Sequence, residues 1–195
     1  MLMVGVVEAQ VEAKLRDGGF RCPSCRGVLG PWGFARWRWV RMRRGAPVGL
    51  RPRRSRCRAC RKTHVLLADL CLLRRQYEVR VIGAAIDARI RGLGYVRTSR
   101  ALGVPVWTVR AWLRRFSRNA EVIRSHFTRW AFALDPEVGA ILPAGSAVRD
   151  AVEAIGVASR AWVLRLGPRE VWPLVAWLSG GMLLATRGDL FPAVW

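Results

Sequence analysis

Apolar residues recur at spacings of three and four along the second half of the chain, which is the period of a helix that buries one face. The first run predicts a helix over about residues 79–91, ended by Gly92-Leu93-Gly94; its apolar positions are Val79, Ile82, Ile86 and Ile90. The pattern then predicts a short helix over about residues 95–102, Gly103, and a longer helix from about Pro105.

The longer helix carries a seam of apolar residues at alternating spacings of four and three. The seam consists of Val109, Leu113, Phe116, Ala120, Ile123, Phe127, Trp130 and Leu134. Such spacing is typical of a coiled coil. Two interpretations stay open: a homodimer that pairs through the Val109–Leu134 seam, or burial of the seam by later helices of the same chain. Ser117 and Asn119 are positions where the long helix could break in two.

The tail pattern predicts further helices. In "LDPE", Asp135 and Pro136 predict a helix stop followed by a new helix start. Two more helices are predicted over about Ser146–Leu166 and Arg169–Leu178, separated by Gly167-Pro168. Four tryptophans of this tail fit either a core or a partner surface: Trp162, Trp172, Trp177 and Trp195.

The first 70 residues follow a different pattern. A short helix is predicted over Val4 to Leu15, ended by Gly18-Gly19. Between Cys22 and about Leu67, two extended runs flank the turn residues Gly45-Ala46-Pro47, which predicts a β-hairpin.

Two cysteine pairs bracket that hairpin. Cys22-Pro-Ser-Cys25 precedes it and Cys57-Arg-Ala-Cys60 follows it. Two residues between paired cysteines allow a tight turn to aim both thiolates at one ion, so the four cysteines predict a structural, tetrahedral Zn²⁺ site of the zinc-ribbon kind. A redox dithiol would be one such pair beside a βαβ pattern, and is disfavoured. His64 is the alternative ligand, should one cysteine lie out of place.

The charge is large and uneven. The net charge is +21, and residues 1–130 carry 29 basic and 7 acidic side chains, whereas residues 131–195 carry 5 and 6. No acid lies between Asp17 and Asp69, a stretch with 13 arginines and Lys62. A polyanionic partner follows, and nucleic acid is the commonest.

A membrane role is not predicted. The apolar stretch Val171–Ala185 holds one proline and two glycines and is shorter than the roughly 20 residues of a spanning helix. The first residues lack the basic region of a signal peptide. We therefore expect a cytoplasmic, nucleoid-associated protein.

Arginine alternates with tryptophan in "FARWRWVRMRR". Its candidate phosphate contacts, with two more from the following strand, are Arg36, Arg38, Arg41, Arg43, Arg53 and Arg54. Trp37 and Trp39 have two interpretations: they stack on bases, or they form the small core of the ribbon.

The stretch "YVRTSRALGVPVWTVRAWLRRF" has the pattern of a helix-turn-helix. Ser99 suits the small position where two helices touch, and Gly103 suits the turn; Thr98 stands where a larger aliphatic residue is usual. The outward face of the second helix holds the candidate DNA contacts Val106, Trp107, Arg110, Ala111 and Arg114. The alternative is an ordinary helical hairpin.

These features predict a mainly α protein with a small β zinc ribbon. An N-terminal segment (residues 1–20) is followed by a zinc ribbon (21–70). A trihelical helix-turn-helix with an extended last helix comes next (76–134), and a helical C-terminal region ends the chain (135–195).

Four motifs carry a resemblance to known proteins: Cys22-Pro-Ser-Cys25, "LRPRRSRCRACRKTHVLL", "GVPVWTVRAWLRRF" and "HFTRWAFALDPE". Over about residues 20–137 the chain resembles the N-terminal DNA-binding regions of bacterial insertion-sequence transposases. It is more closely similar to a family of short, uncharacterised bacterial zinc-ribbon/helix-turn-helix proteins. The resemblance implies DNA binding with a link to mobile elements, and no known reaction.

We therefore expect a DNA-binding regulator or transposition accessory and no enzyme. A transposase needs a Mg²⁺-binding set of carboxylates on a nuclease fold. The acids of the tail lie in predicted helices and turns: Asp135, Glu137, Asp150, Glu153, Glu170 and Asp189. The alternatives are an RNA-binding or ribosome-associated zinc-ribbon protein and a truncated transposase without a catalytic domain.

Overall fold

The computed structural model describes residues 1–185 and residue 191. Within them the chain is mainly helical with a small β component, as predicted. The helices are α1 (Glu8–Arg16), α2 (Val79–Ile90), α3 (Tyr95–Leu102), α4 (Val106–Arg118), α5 (Ala120–Leu134), α6 (Ala147–Leu166) and α7 (Val171–Leu178). The strands are β1 (Leu2–Val4), β2 (Leu29–Phe34), β3 (Arg38–Val40), β4 (Val48–Leu50), β5 (Arg53–Cys57) and β6 (Thr63–Ala68).

Four strands form one sheet in the order β1-β6-β5-β2. Strand β1 runs parallel to β6, with Leu2 opposite Leu66, and the other neighbours are antiparallel. The predicted helix over Val4 to Leu15 is therefore wrong at its start. The first apolar residues pair with the free edge of β6, and α1 begins only at Glu8.

The N-terminal segment shares one small core with this sheet. Val4, Val11, Leu15 and Phe20 are buried together with ribbon residues, among them Leu29 and Leu66. Strand β1, helix α1 and the four-stranded sheet are called the N-terminal lobe below.

The predicted hairpin is present as β3 paired antiparallel with β4. It is a separate two-stranded sheet. Val40 is fully buried in the larger, helical core. The hairpin therefore joins the N-terminal lobe to the helices.

Helices α2 to α5 follow the predicted order. The long helix does break near Asn119, where α4 ends and α5 begins. Asn119 is buried, and its side-chain amide donates to the carbonyl of Ala185 at 2.8 Å.

The apolar seam is buried within a single chain. All eight of its side chains lie in the helical core, and α6 packs along α5. The structure thus supports burial by the chain's own helices. A homodimer through this seam would require the core to open.

The predicted helix start at Pro136 is wrong. Helix α5 does end at Leu134, but residues 135–146 are irregular and α6 begins at Ala147. Asp135 instead closes a tight turn, since its Oδ1 accepts from the N–H of Glu137 at 3.1 Å. Ser146 provides the cap, accepting from the N–H of Arg149.

Three of the four tail tryptophans pack on the helical core: Trp162, Trp172 and Trp177. Trp195 lies outside the described residues. Trp172 lies directly on Gly83 of α2, where an ideal Cβ would fall 2.1 Å from its ring, and its Nε1 donates to Asp87 at 3.1 Å. The close approach of α7 to α2 therefore requires glycine at position 83. Among the described residues, no helix is both long and apolar enough to cross a membrane.

We expect Gly83→Ala to lower the free energy of unfolding by about 1–3 kcal/mol, because the added methyl group displaces the Trp172 ring. The matched control is Gly156→Ala inside α6, whose new methyl group meets only the end of Arg160 at 3.4 Å. That change should raise stability by up to about 1 kcal/mol. Urea denaturation followed by circular dichroism measures both, and equal effects of the two substitutions would contradict the packing.

Candidate metal centre and nucleic-acid interface

The two cysteine pairs form turns of the same kind. The N–H of Arg26 donates to the carbonyl of Cys22 at 2.8 Å, and the N–H of Arg61 donates to the carbonyl of Cys57 at 3.1 Å. Arg26 and Arg61 have φ of 59° and 63°. This left-handed conformation costs a non-glycine residue about 1–2 kcal/mol. Each turn thus reverses sharply after its second cysteine, although neither carries glycine there.

These turns bring four sulfur atoms together. The Sγ atoms of Cys22, Cys25, Cys57 and Cys60 all lie within 4.8 Å of one another. Cys22 and Cys60 are 3.7 Å apart, and Cys25 and Cys57 are 3.4 Å apart. A tetrahedral ion with metal–sulfur bonds of about 2.3 Å has sulfur–sulfur edges of about 3.8 Å. The donor set therefore fits a metal ion, as the spacing of the cysteines predicted.

Gly27 allows the two turns to approach. An ideal Cβ at this position would lie 3.0 Å from Sγ of Cys57 and 3.0 Å from Cβ of Ala59. A larger residue would push the second turn away from the first. Sequence reasoning missed this packing role of Gly27.

The thiols are electrostatically unequal. Burial opposes ionisation of Cys57, but hydrogen bonds led by the N–H of Cys60 lower its pKa to about 6. A similar set, led by the N–H of Ser24, lowers the pKa of Cys22 to about 7 against the effect of burial. For Cys60, the N–H of Lys62 favours the thiolate, yet the neighbouring cysteines and burial raise its pKa to about 11. A cation at the centre would let all four ionise together.

His64 lies beside the cluster. It is on β6, opposite Ser55 of β5, and its Nε2 is 3.3 Å from Sγ of Cys22. Its ring is buried. In this position the imidazole can donate a hydrogen bond to one thiolate while the four cysteines supply the ligands.

The candidate phosphate contacts of the hairpin region differ in their availability. Arg36, Arg41 and Arg43 are exposed. The Arg38 guanidinium donates to the carbonyl of Arg75, which fastens the hairpin to the segment before α2.

The two candidate phosphate contacts on β5 already bind other groups of the protein. Arg53 pairs with Glu12 and also donates to the carbonyl of Gly33 at 2.7 Å. Arg54 is half-buried, and its Nη2 lies 3.3 Å from Oγ1 of Thr63.

The tryptophans of this region are not core residues. Trp37 and Trp39 are 58% and 60% exposed. Sequence reasoning missed Trp32 and Phe34 of β2, which are also exposed and lie against arginines. The alternation in "GPWGF" was the available signal.

Helix α3, the turn and α4 form a second candidate surface. Gly103 ends α3 with φ of 64°, and the Ser99 hydroxyl donates to the carbonyl of Val104 at 2.7 Å. Thr98 is fully buried, and its hydroxyl has no partner among the described residues. The turn thus has the tight contact expected of a small residue at position 99.

The outward face of α4 is basic and aromatic. Trp107 is 75% exposed, Arg110 and Arg114 are exposed, and Val106 and Ala111 are half-buried. Within the described part of the chain, neither arginine forms an ion pair with a carboxylate. Their charges therefore remain available to an anionic partner.

Purified protein should bind one equivalent of metal per chain, and Cys25→Ser should abolish this binding because it removes one of four thiolates. Cys25 is exposed, so little packing is lost. The control is Cys71→Ala, a buried cysteine of the helical core, which should keep one equivalent. Elemental analysis measures both. Retention of metal in the Cys25 variant, or its loss in the Cys71 variant, would contradict the site.

His64→Ala should keep the metal stoichiometry and weaken metal affinity by about 10- to 100-fold, since only a hydrogen bond to a ligand is lost. Competition with a chromogenic chelator gives the affinity. Loss of the bound equivalent would instead make His64 a ligand.

Comparison with protein families finds a match in the first half of the chain. A family model described as a domain of unknown function, DUF6431, matches residues 22–99. The matched stretch begins at the first cysteine of the cluster and ends within α3. No curated protein matches. No solved structure matches either.

Proposed function

We propose that this protein binds duplex DNA through a helix-turn-helix formed by α3 and α4, with α4 entering the major groove. The observation that carries the proposal is the division of α4 into two faces. Val109, Trp112 and Phe116 are buried in the core, whereas Trp107 and the arginines at positions 110 and 114 face solvent. A helix with one anchored face and one basic face suits the width of the major groove.

The exposed face offers the chemistry of base recognition. An arginine can donate two hydrogen bonds to O6 and N7 of guanine, which supports Arg110 and Arg114 as reading residues. Val106, Trp107 and Ala111 can contact a thymine methyl group or pack along the sugar-phosphate backbone. The glycine turn and the Ser99 contact support the close helix pairing that this motif requires.

The hairpin region supplies contacts that do not depend on sequence. Arg36, Arg41 and Arg43 are exposed, and the acid-free stretch around them strengthens attraction to phosphates. Arg53 is the weakest of the candidates, because Glu12 already pairs with it. This basic surface would raise affinity for any DNA while α4 selects the sequence.

The metal in this proposal is Zn²⁺ with a structural role. Four thiolates form a soft and complete ligand set, which favours zinc and leaves no open position for a substrate. The chain would then act as a nucleoid-associated regulator or transposition accessory, without a reaction of its own. Three acids of the tail have local roles that suit this: Glu170 pairs with Arg80, Glu153 pairs with Arg160, and Asp150 accepts from the N–H of Ala144. Asp189 lies outside the described residues.

Selection of bound sequences from random duplex DNA should enrich a defined motif, and Arg110→Ala should weaken binding to it by about 1–3 kcal/mol. The loss should concern preference for the motif over random DNA. Lys62→Ala, which changes an exposed charge beside the metal centre, should weaken both duplexes equally and lower the salt dependence.

Anisotropy titrations at two salt concentrations separate the alternatives. Equal loss of affinity for motif and random DNA in the Arg110 variant would contradict base reading by α4. Preference for structured RNA over every duplex would favour the RNA-binding alternative.

A further inference from the structure

A cleft lies between the hairpin and the segment before α2. Its volume is about 760 Å³, and it is lined by Trp37, Arg38, Trp39, Arg41, Pro47 and Gln76. We call it the hairpin cleft. None of its lining residues is acidic. Its lining includes no residue of the outward face of α4, and the inference below does not depend on DNA reading by that helix.

The two tryptophans of the cleft are held in place while remaining exposed. Trp37 lies on Gly49 of β4, where an ideal Cβ would fall 2.3 Å from its ring. The Trp37 and Trp39 rings meet edge to face, with centroids 6.2 Å apart and planes at 86°. Two adjoining exposed indoles form a contiguous apolar patch, and such patches often mark a binding surface. The pair therefore forms a corner whose aromatic faces are open to solvent.

The walls of the cleft carry fixed positive charge. Arg41 is held by Tyr77, since its Nη1 donates to the tyrosine oxygen at 3.0 Å. The nearby Glu78 does not neutralise it. That buried carboxylate pairs with Arg80 and accepts the N–H of Arg43 at 2.8 Å. A ligand that enters the cleft therefore meets aromatic faces and two arginines, and no carboxylate is among the described residues that line it.

The same combination of residue types occurs on β2. The Arg56 guanidinium lies 4.3 Å from the centroid of Trp32, and that of Arg53 lies 4.4 Å from the centroid of Phe34. Exposed aromatics thus occur at positions 32, 34, 37 and 39, each on the strongly basic stretch. This is the pattern of a surface that stacks bases and neutralises phosphates.

We propose that the hairpin cleft binds an unpaired nucleotide of a single-stranded nucleic acid. An indole can stack on a base only when the face of that base is free, which it is not inside a duplex. Arg41 can contact the phosphate, and the exposed amide of Gln76 can hydrogen-bond to the base edge. A base would stack on Trp37 or Trp39, with the other indole against its edge.

The test uses a fluorescein-labelled oligothymidylate of about 12 nucleotides and a matched abasic strand with the same number of phosphates. The wild-type protein should bind the abasic strand more weakly, by roughly 5- to 150-fold for each stacked base. Trp37→Leu and Trp39→Leu should each weaken oligothymidylate binding on that scale. Trp39→Phe should keep most of the affinity, because it keeps a ring.

The control is Phe132→Leu, which changes an exposed aromatic residue of α5 and should have no effect. Metal content and circular dichroism confirm that each variant is folded. Because Trp37 packs on Gly49, Trp37→Leu can disturb the fold of the hairpin. If that variant unfolds, the Trp39 variants test the proposal. Equal affinity for the base-containing and abasic strands, or wild-type affinity in Trp39→Leu, would overturn the proposal.

Two further experiments show whether the bound strand is RNA or DNA and distinguish binding in the hairpin cleft from binding at α4. An oligouridylate of equal length compares RNA with DNA; loss of both in the tryptophan variants supports the cleft for either strand. Arg110→Ala should keep single-strand binding while motif preference in duplex DNA falls. Loss of single-strand binding in that variant would assign the strand to α4 and overturn the cleft.

Discussion

Four sulfur atoms held within 4.8 Å of one another form the constraint on which the N-terminal lobe depends. Four negatively charged thiolates this close together repel one another. A metal ion bound by all four would neutralise that repulsion and add four metal–sulfur bonds. The buried apolar residues of this lobe are few, so a metal ion bound by the four cysteines would supply stability that a larger core would otherwise give. Both ends of the segment between Cys25 and Cys57 are fixed at this point, and that segment contains the hairpin.

The hairpin links the four-cysteine cluster to the helices. Val40 inserts into the helical core, and Arg38 binds the carbonyl of Arg75. An ion pair at 2.6 Å between Arg169 and Asp69 adds a contact from the tail. The basic hairpin therefore has a fixed position beside α2–α4. This arrangement explains why the positive charge is concentrated in residues 1–130. That part of the chain presents basic side chains to solvent, whereas the nearly neutral tail covers the apolar seam of the helices.

Several features that depend on residues close together in the sequence were predicted correctly. Cysteine spacing defines the two turns, and glycine stops define Tyr95–Leu102, whose bounds were predicted correctly. Long-range choices were less accessible. The pairing of Leu2–Val4 with β6 joins residues about 60 positions apart, and nothing local distinguishes it from the first turn of a helix. The alternation of residues in the hairpin places Trp37 and Trp39 on one face of the strand, but it does not show which face is buried. In the structure Val40 is buried and the two tryptophans are exposed. The seam predicted a partner helix, but periodicity alone does not distinguish a partner in the same chain from one in a second chain.

We propose that an ion bound by the four cysteines keeps the proposed nucleic-acid-binding surface folded. The most direct measurement is the affinity for a labelled single strand in the zinc-loaded protein, after removal of zinc by a chelator, and after its return. The account predicts that affinity falls by at least roughly ten-fold without zinc, on the scale of one lost stacked base, while the helical content of α2–α7 is kept. Zinc should restore the affinity. Unchanged affinity in the fully metal-free protein would contradict the account.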